Sequence, residues 1–161
     1  MGSGKSGDLP KRRRTVATFV KELHTLIATW GLDRFHLMGG SWGATLALEY
    51  GLRHPESGLQ SLVLQSPMLS AIDWQRDAKQ LIRAMSKDDQ KVIRYCHDIG
   101  ATDAAVYQAV MRRYYRNHVL RNDKKLDAIF SRDNPRGAAI YEHMWGPSEF
   151  VATGTPVSYT H

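Results

Sequence analysis

Phe35-His36-Leu37-Met38-Gly39-Gly40-Ser41-Trp42-Gly43-Ala44-Thr45-Leu46-Ala47-Leu48-Glu49-Tyr50 is the stretch from which the rest of the chain can be read. Phe35 to Met38 form a short apolar run of strand type. Ala44 to Arg53 is rich in strong helix formers, with Pro55 just beyond as a stop. Between them, Gly39-Gly40-Ser41-Trp42-Gly43 matches the pattern G-x-S-x-G. In that pattern the chain turns from strand to helix so sharply that the serine backbone is strained and its hydroxyl is left exposed. Glycines two residues before and two after leave room for neighbouring backbone. The helix that follows aims its amino end at the serine, where free N–H groups and the positive end of the helix dipole favour an oxyanion. The N–H of Trp42 is therefore expected as one oxyanion donor. The alternative for the same five residues is a glycine-rich turn with an inert serine.

Upstream, Val16, Phe19, Val20, Leu23, Leu26, Ile27 and Trp30 recur at spacings of three and four, which predicts an amphipathic helix ending at Gly31, with Thr15 as its N-cap. Downstream, Leu62-Val63-Leu64 reads as a second short buried strand. Helix, strand, glycine turn, helix, strand is the alternation of a parallel α/β sheet. From Ala71 to about Met144 the pattern predicts several helices, with polar breaks near Ser86-Lys87, Gly100 to Asp103 and Asn134-Pro135, and no convincing strand. Residues 1–66 therefore read as a partial α/β core, 67–150 as a helical cap, and 151–161 as a tail.

With 42% hydrophobic residues, the 161-residue chain can bury a packed core. No apolar run approaches the roughly 20 residues of a membrane span, and no apolar segment follows the basic N-terminal residues as in a secretory signal. The single cysteine, Cys96, fits a cytoplasmic setting. The net charge of +6 raises a nucleic-acid reading. The run Lys11-Arg12-Arg13-Arg14, however, has no interleaved aromatics and reads better as a solvated turn than as a phosphate-binding arm, so no nucleic-acid partner is expected. Gly4-Lys5-Ser6 imitates the end of a phosphate loop, but the first glycine of that pattern would fall before residue 1 and no strand precedes it. His24, His36, His54, His97, His118, His143 and His161 include no His-Glu-x-x-His and no pair at i, i+4, so they read as surface or satisfied histidines and no metal is expected.

Taken together, the run 35–50, the exit Ser61-Leu62-Val63-Leu64-Gln65-Ser66-Pro67 and several later segments resemble the proline iminopeptidase family of α/β-hydrolases. Those segments are Tyr107-Gln108-Ala109, Tyr114-Tyr115-Arg116-Asn117-His118 and Met144-Trp145-Gly146-Pro147-Ser148-Glu149-Phe150. Gly2-Ser3-Gly4-Lys5-Ser6-Gly7-Asp8 is similar to the family's G-x-G-R-S-D loop, and the likeness spans roughly residues 2–154. It implies an α/β-hydrolase fold with a helical cap, acting on peptides with an N-terminal proline through a Ser-Asp-His triad, without metal or organic cofactor. Ser41 falls at the nucleophile. Glu149 falls where a cap glutamate holds the free substrate amine. Tyr107, Tyr114 and Tyr115 are candidates for an apolar proline pocket, with cap packing as the alternative.

The family's His-Gly-Gly-Pro-Gly loop and its strands carrying the catalytic aspartate and histidine have no counterpart in this sequence. Asp73, Asp77, Asp88, Asp89, Asp98, Asp103, Asp123, Asp127 and Asp133 lie in the helical block with His97, His118 and His143, and none is assigned to the triad. The expectation is a fragment, inactive alone and poorly soluble or dynamic, since unpaired strands and uncovered helix faces favour association. Pro156 to His161 departs from the family pattern and is expected to be non-native, translated from a transposon end. Two other functions compete: another α/β-hydrolase, such as an amino-acid amidase or esterase, and a non-catalytic binding module. Glu149 favours amine recognition over a plain ester pocket, and retention of the serine with its glycines favours an enzyme.

Overall fold

The computed structural model describes residues 5–131 and 135–154. Gly2 to Gly4, Asp133, Asn134 and Pro156 to His161 lie outside them. Helix α1 spans Val16–Thr29 and is opened as expected by Thr15, whose Oγ1 accepts the N–H of Thr18 at 3.2 Å. Gly31, at φ 63°, takes the left-handed conformation that ends it. Val20 and Ile27 of the apolar stripe are buried, but Leu26 and Trp30 at its far end are 46% and 67% exposed.

Strand β1 (Phe35–Gly40) pairs in parallel with β2 (Leu59–Gln65), from Phe35 opposite Leu59 to Gly40 opposite Gln65. Helix α2 (Trp42–Arg53) is the crossover between them. Both strands run longer than their apolar cores suggest. β1 continues through both glycines, and α2 begins immediately after Ser41 rather than at Ala44. Val20, Ile27, Phe35 and Tyr50 form the buried cluster of this unit, with Val16, Leu23, Leu37, Leu46 and Leu59 packed around it. The other face of the sheet is open: the cross-strand neighbours Met38 and Val63 are 73% and 50% exposed.

Among the described residues five helices follow: α3 (Ala71–Arg83), α4 (Lys87–Asp98), α5 (Ala105–His118), α6 (Asp123–Phe130) and α7 (Pro135–Met144). Ser70, Ser86 and Asn122 cap α3, α4 and α6, each accepting a backbone N–H at 3.1 Å. The breaks at 84–86 and 99–104 fall where polar residues marked them, whereas the break between α5 and α6, closed by Asn122, was not anticipated. Ala78, Ile93, Cys96, Tyr107, Val110, Met111, Tyr114 and Phe150 form a second buried cluster that shares no residue with the first. Among the described residues, the only pairing outside β1 and β2 is an isolated bridge between Ser148 and Val151. No helix among them is long and apolar enough to cross a membrane.

One expectation for the basic run needs correction. Lys11–Arg13 form an exposed 3-10 turn, but Arg14 is only 8% exposed. Its Nε donates to the Leu9 carbonyl at 2.9 Å and a terminal nitrogen donates to the Ala139 carbonyl of α7 at 3.0 Å. Arg14 is therefore a structural tie between the segment ahead of α1 and the helical block. The guanidinium fork reaches two carbonyls at once, which an ammonium cannot do with the same directionality.

Candidate active site

Ser41 adopts φ 51° and ψ −121°, a region that non-glycine residues rarely occupy. Its N–H continues the sheet by donating to the Gln65 carbonyl at 2.9 Å. Its own carbonyl accepts the N–H groups of Ala44 at 3.0 Å and Thr45 at 3.3 Å, opening α2. One residue thus ends the strand and starts the helix, and such backbone costs on the order of 1–3 kcal/mol. The Ser41 side chain is not used as a helix cap, and the residue is exposed. Helix geometry leaves the N–H groups of Trp42 and Gly43 without intrahelical acceptors beside it. Trp42 rests edge-on against Phe19, ring centroids 6.0 Å apart. Fully buried Thr45 ties the first turn of α2 to the exit of β2, donating to the Met68 carbonyl at 2.9 Å.

The three glycines are not equivalent. A Cβ on Gly39 would stand 2.6 Å from the Ala44 nitrogen and collide with the Gly43 carbonyl. At Gly40 the nearest heavy atom would be Gln65 Oε1 at 3.7 Å, an ordinary contact. At Gly43 a Cβ would meet no heavy atom within 4 Å among the described residues. The close approach that calls for glycine is therefore at Gly39, and Gly43 supplies the carbonyl that approaches rather than needing room itself.

Glu149 lies half-buried on the helical block. The Tyr115 hydroxyl donates to its Oε1 at 2.8 Å, and the Tyr141 hydroxyl also hydrogen-bonds the carboxylate. Burial first, and then the charge of Glu149, hold both phenols well above the usual tyrosine range. Trp74 Nε1 donates to the Glu149 carbonyl at 3.0 Å, and Trp145 Nε1 to the Ser148 carbonyl at 2.9 Å. A carboxylate oriented by neutral hydroxyls keeps lone pairs for a cationic ligand.

The tyrosines expected around a proline pocket divide. Tyr107 and Tyr114 are 1% and 5% exposed and belong to the buried cluster, Tyr114 standing edge-on to Phe150 at 4.7 Å. They are packed on all sides as core rather than facing open space, and burial pushes the Tyr107 phenol up to about 12. Tyr115 alone of the three reaches Glu149. Tyr141 and Trp74 were not singled out from sequence, because no local spacing links Trp74 to a partner 75 residues away. Among the described residues no hydrogen bond or ring contact joins Ser41 or Trp42 to the Glu149 cluster.

Several histidines have partners inside the fold. His24 and His54 stack at 4.2 Å, and His36 Nδ1 lies 2.8 Å from Ser61 Oγ. Among the described residues no three His, Cys, Asp or Glu side chains gather in a way that could hold a metal ion.

A family model for the alpha/beta hydrolase fold matches residues 1–135. The proline iminopeptidase of Heyndrickxia coagulans is 37% identical over 137 residues, which cover 84% of this chain and 47% of that protein. That of Lactobacillus delbrueckii subsp. bulgaricus is 32% identical over 164 residues, covering 100% of this chain and 56% of the relative. Among solved structures, VinJ superposes with a TM-score of 0.85 at 28% identity, over 99% of this chain and 56% of that one. The proline iminopeptidase of Mycobacterium smegmatis gives a TM-score of 0.76 at 28% identity, over 98% and 54%. The chain spans about half the length of the curated relatives it matches. The bend at Ser41 lies inside the matched residues and has the strand–turn–helix form that the motif demands; the chain belongs to the α/β-hydrolase fold family.

Proposed function

We propose that this chain carries the nucleophile and the substrate-capping helices of a serine aminopeptidase that removes N-terminal proline from peptides. The observation that carries the reading is the backbone of Ser41, left-handed at the junction of β1 and α2 with its exposed side chain not used as a helix cap. The names of the relatives point to the same activity. In the reaction, Ser41 Oγ attacks the carbonyl carbon of the first residue while a general base takes its proton. The N–H of Trp42 donates to the developing oxyanion. Collapse expels the shortened peptide as an amine, which takes up the proton the general base removed from Ser41, and leaves a prolyl ester on Ser41, which water hydrolyses with the same base. Glu149 pairs with the protonated proline nitrogen and thereby sets the register to one residue from the chain end.

No histidine or aspartate of this chain is assigned as the base or its partner, and the chemistry uses neither metal nor organic cofactor. The two separate buried clusters support a division into a core over 1–66 and a cap over 67–150. A cytoplasmic setting belongs to the same reading and is supported by the lone, buried Cys96 thiol.

The test is made on the chain continued to the length of its relatives. A fluorophosphonate should add to Ser41, and Ser41→Ala should lose both the label and turnover of a proline arylamide. Turnover of a simple aryl ester with none of the arylamide would favour a plain esterase and refute the peptidase. A fold that neither labels nor turns over would make it a binding module.

A further inference from the structure

Glu149 is flanked by Ser148 and Phe150, which are only 6% and 4% exposed, and a partly buried polar cluster holds both of them. The Tyr107 hydroxyl lies 2.8 Å from His97 Nε2, and Ser148 Oγ lies 3.3 Å from the same nitrogen. Ser148 also hydrogen-bonds the Tyr107 hydroxyl, and the Phe150 N–H donates to Ser148 Oγ at 3.3 Å.

We assign the protons so that the chain runs from Phe150 to His97, which leaves the 3.3 Å approach of Ser148 Oγ to His97 Nε2 a contact without a proton of its own. Ser148 Oγ accepts from Phe150 and turns its proton to the Tyr107 oxygen. In this assignment Tyr107 donates to His97 Nε2, the bare nitrogen of a neutral imidazole. Burial holds His97 in that neutral form by lowering its pKa. A chain of hydroxyls ending on a bare nitrogen is polarised along its length, which stiffens it relative to separate bonds. Its members come from α4, α5 and the segment after α7, yet the bonds converge on the two residues either side of Glu149. The indole donors of Trp74 and Trp145 grip the same segment through the Glu149 and Ser148 carbonyls.

We propose that His97, Tyr107 and Ser148 are positioning residues that hold the Glu149 carboxylate in register for a free N-terminal amine, and so set the preference for unblocked substrates. The proposal rests on the reading of Glu149 as the amine site. A cluster that merely packed the cap would affect all ligands alike. One that aims a carboxylate affects ligands with a charged amine and spares those without.

The experiment is calorimetric titration of the full chain with prolinamide and with N-acetylprolinamide. The parent should prefer prolinamide. Tyr107→Phe and His97→Ala should each lower that preference about 3- to 10-fold, the loss expected for a network hydrogen bond. His97→Gln, whose amide oxygen can accept from Tyr107, should restore part of it. Equal weakening of both ligands, or an unchanged preference, would overturn the proposal. A parent with no preference at all would instead overturn the reading of Glu149 itself, a distinguishable result. Nitrogen-15 spectra of His97 in the parent test the chain without any substitution. A bare Nε2 with the proton on Nδ1 is expected, and a protonated Nε2 at alkaline pH would refute the assigned direction.

Discussion

Replacing Gly39 by alanine should be far more damaging than the same change at Gly43, although both glycines occupy matching places in the motif. The added methyl carbon at residue 39 would stand 2.6 Å from the Ala44 nitrogen and closer still to the Gly43 carbonyl. Ordinary carbon contacts lie at about 3.5–4.0 Å, so roughly an ångström of overlap must be relieved. The obstacle is the backbone of the first turn of α2, which cannot rotate aside. Either β1 and α2 separate or the turn at Ser41 opens. Overpacking of this kind costs about 1–3 kcal/mol, and a backbone obstacle places Gly39→Ala at the upper end. Gly43 lies inside α2 with open space around the added methyl, so Gly43→Ala should be neutral or gain up to about 1 kcal/mol of helix propensity. The two variants should therefore differ by about 3–4 kcal/mol. With a urea dependence of about 1–3 kcal/mol per molar, their unfolding midpoints by far-ultraviolet circular dichroism should be separated by a molar or more. A Gly39→Ala protein within about 0.5 kcal/mol of the parent, or a Gly43→Ala protein less stable than Gly39→Ala, would show that the turn is not packed as described.

Mild acid should weaken the fold through its histidines. Burial lowers the pKa of His97 below its ordinary value of 6.5, so the unfolded chain binds a proton that the folded chain refuses. That stability is complete above the unfolded value and declines as pH falls through it. His54 shifts the same way, through burial and then the nearby His24. The urea midpoint should fall between about pH 7.5 and pH 5.5, and a midpoint that rises over that interval would contradict the assignment. Arg14→Lys should keep the charge but lose the directed bonds to Leu9 and Ala139, at a cost of about 1–3 kcal/mol. Full stability in that variant would mean that the 3.8 Å ion pair with Asp8, rather than the fork, holds the segment.

The α/β unit was legible because its signals are local. The stripe of α1, the apolar run of β1, the pentapeptide and the helix formers of α2 each declare themselves within a few residues. Boundaries shifted where hydrogen bonding, not composition, sets them: the Ser41 carbonyl opens α2, so the helix starts at Trp42 despite a glycine in its first turn. Gly39 and Gly43 looked alike because the motif records identity, whereas the clash depends on which backbone approaches which. Arg14 read as solvated because its partner carbonyl, on Ala139, is 125 residues away. The surroundings of Glu149 were half legible. Tyr115 came from a stretch similar to known cap segments, but Tyr141 and Trp74 meet Glu149 only through tertiary packing. For Tyr107 and Tyr114 the choice between pocket and core turns on burial, which helical spacing alone cannot supply.

The φ of 51° at residue 41 sets evolution and thermodynamics against each other. Glycine would sit there with less strain than serine, so Ser41→Gly should make the protein harder to unfold while removing the hydroxyl proposed to do the chemistry. Selection for durability alone would discard the serine, and its presence records a demand that durability does not make.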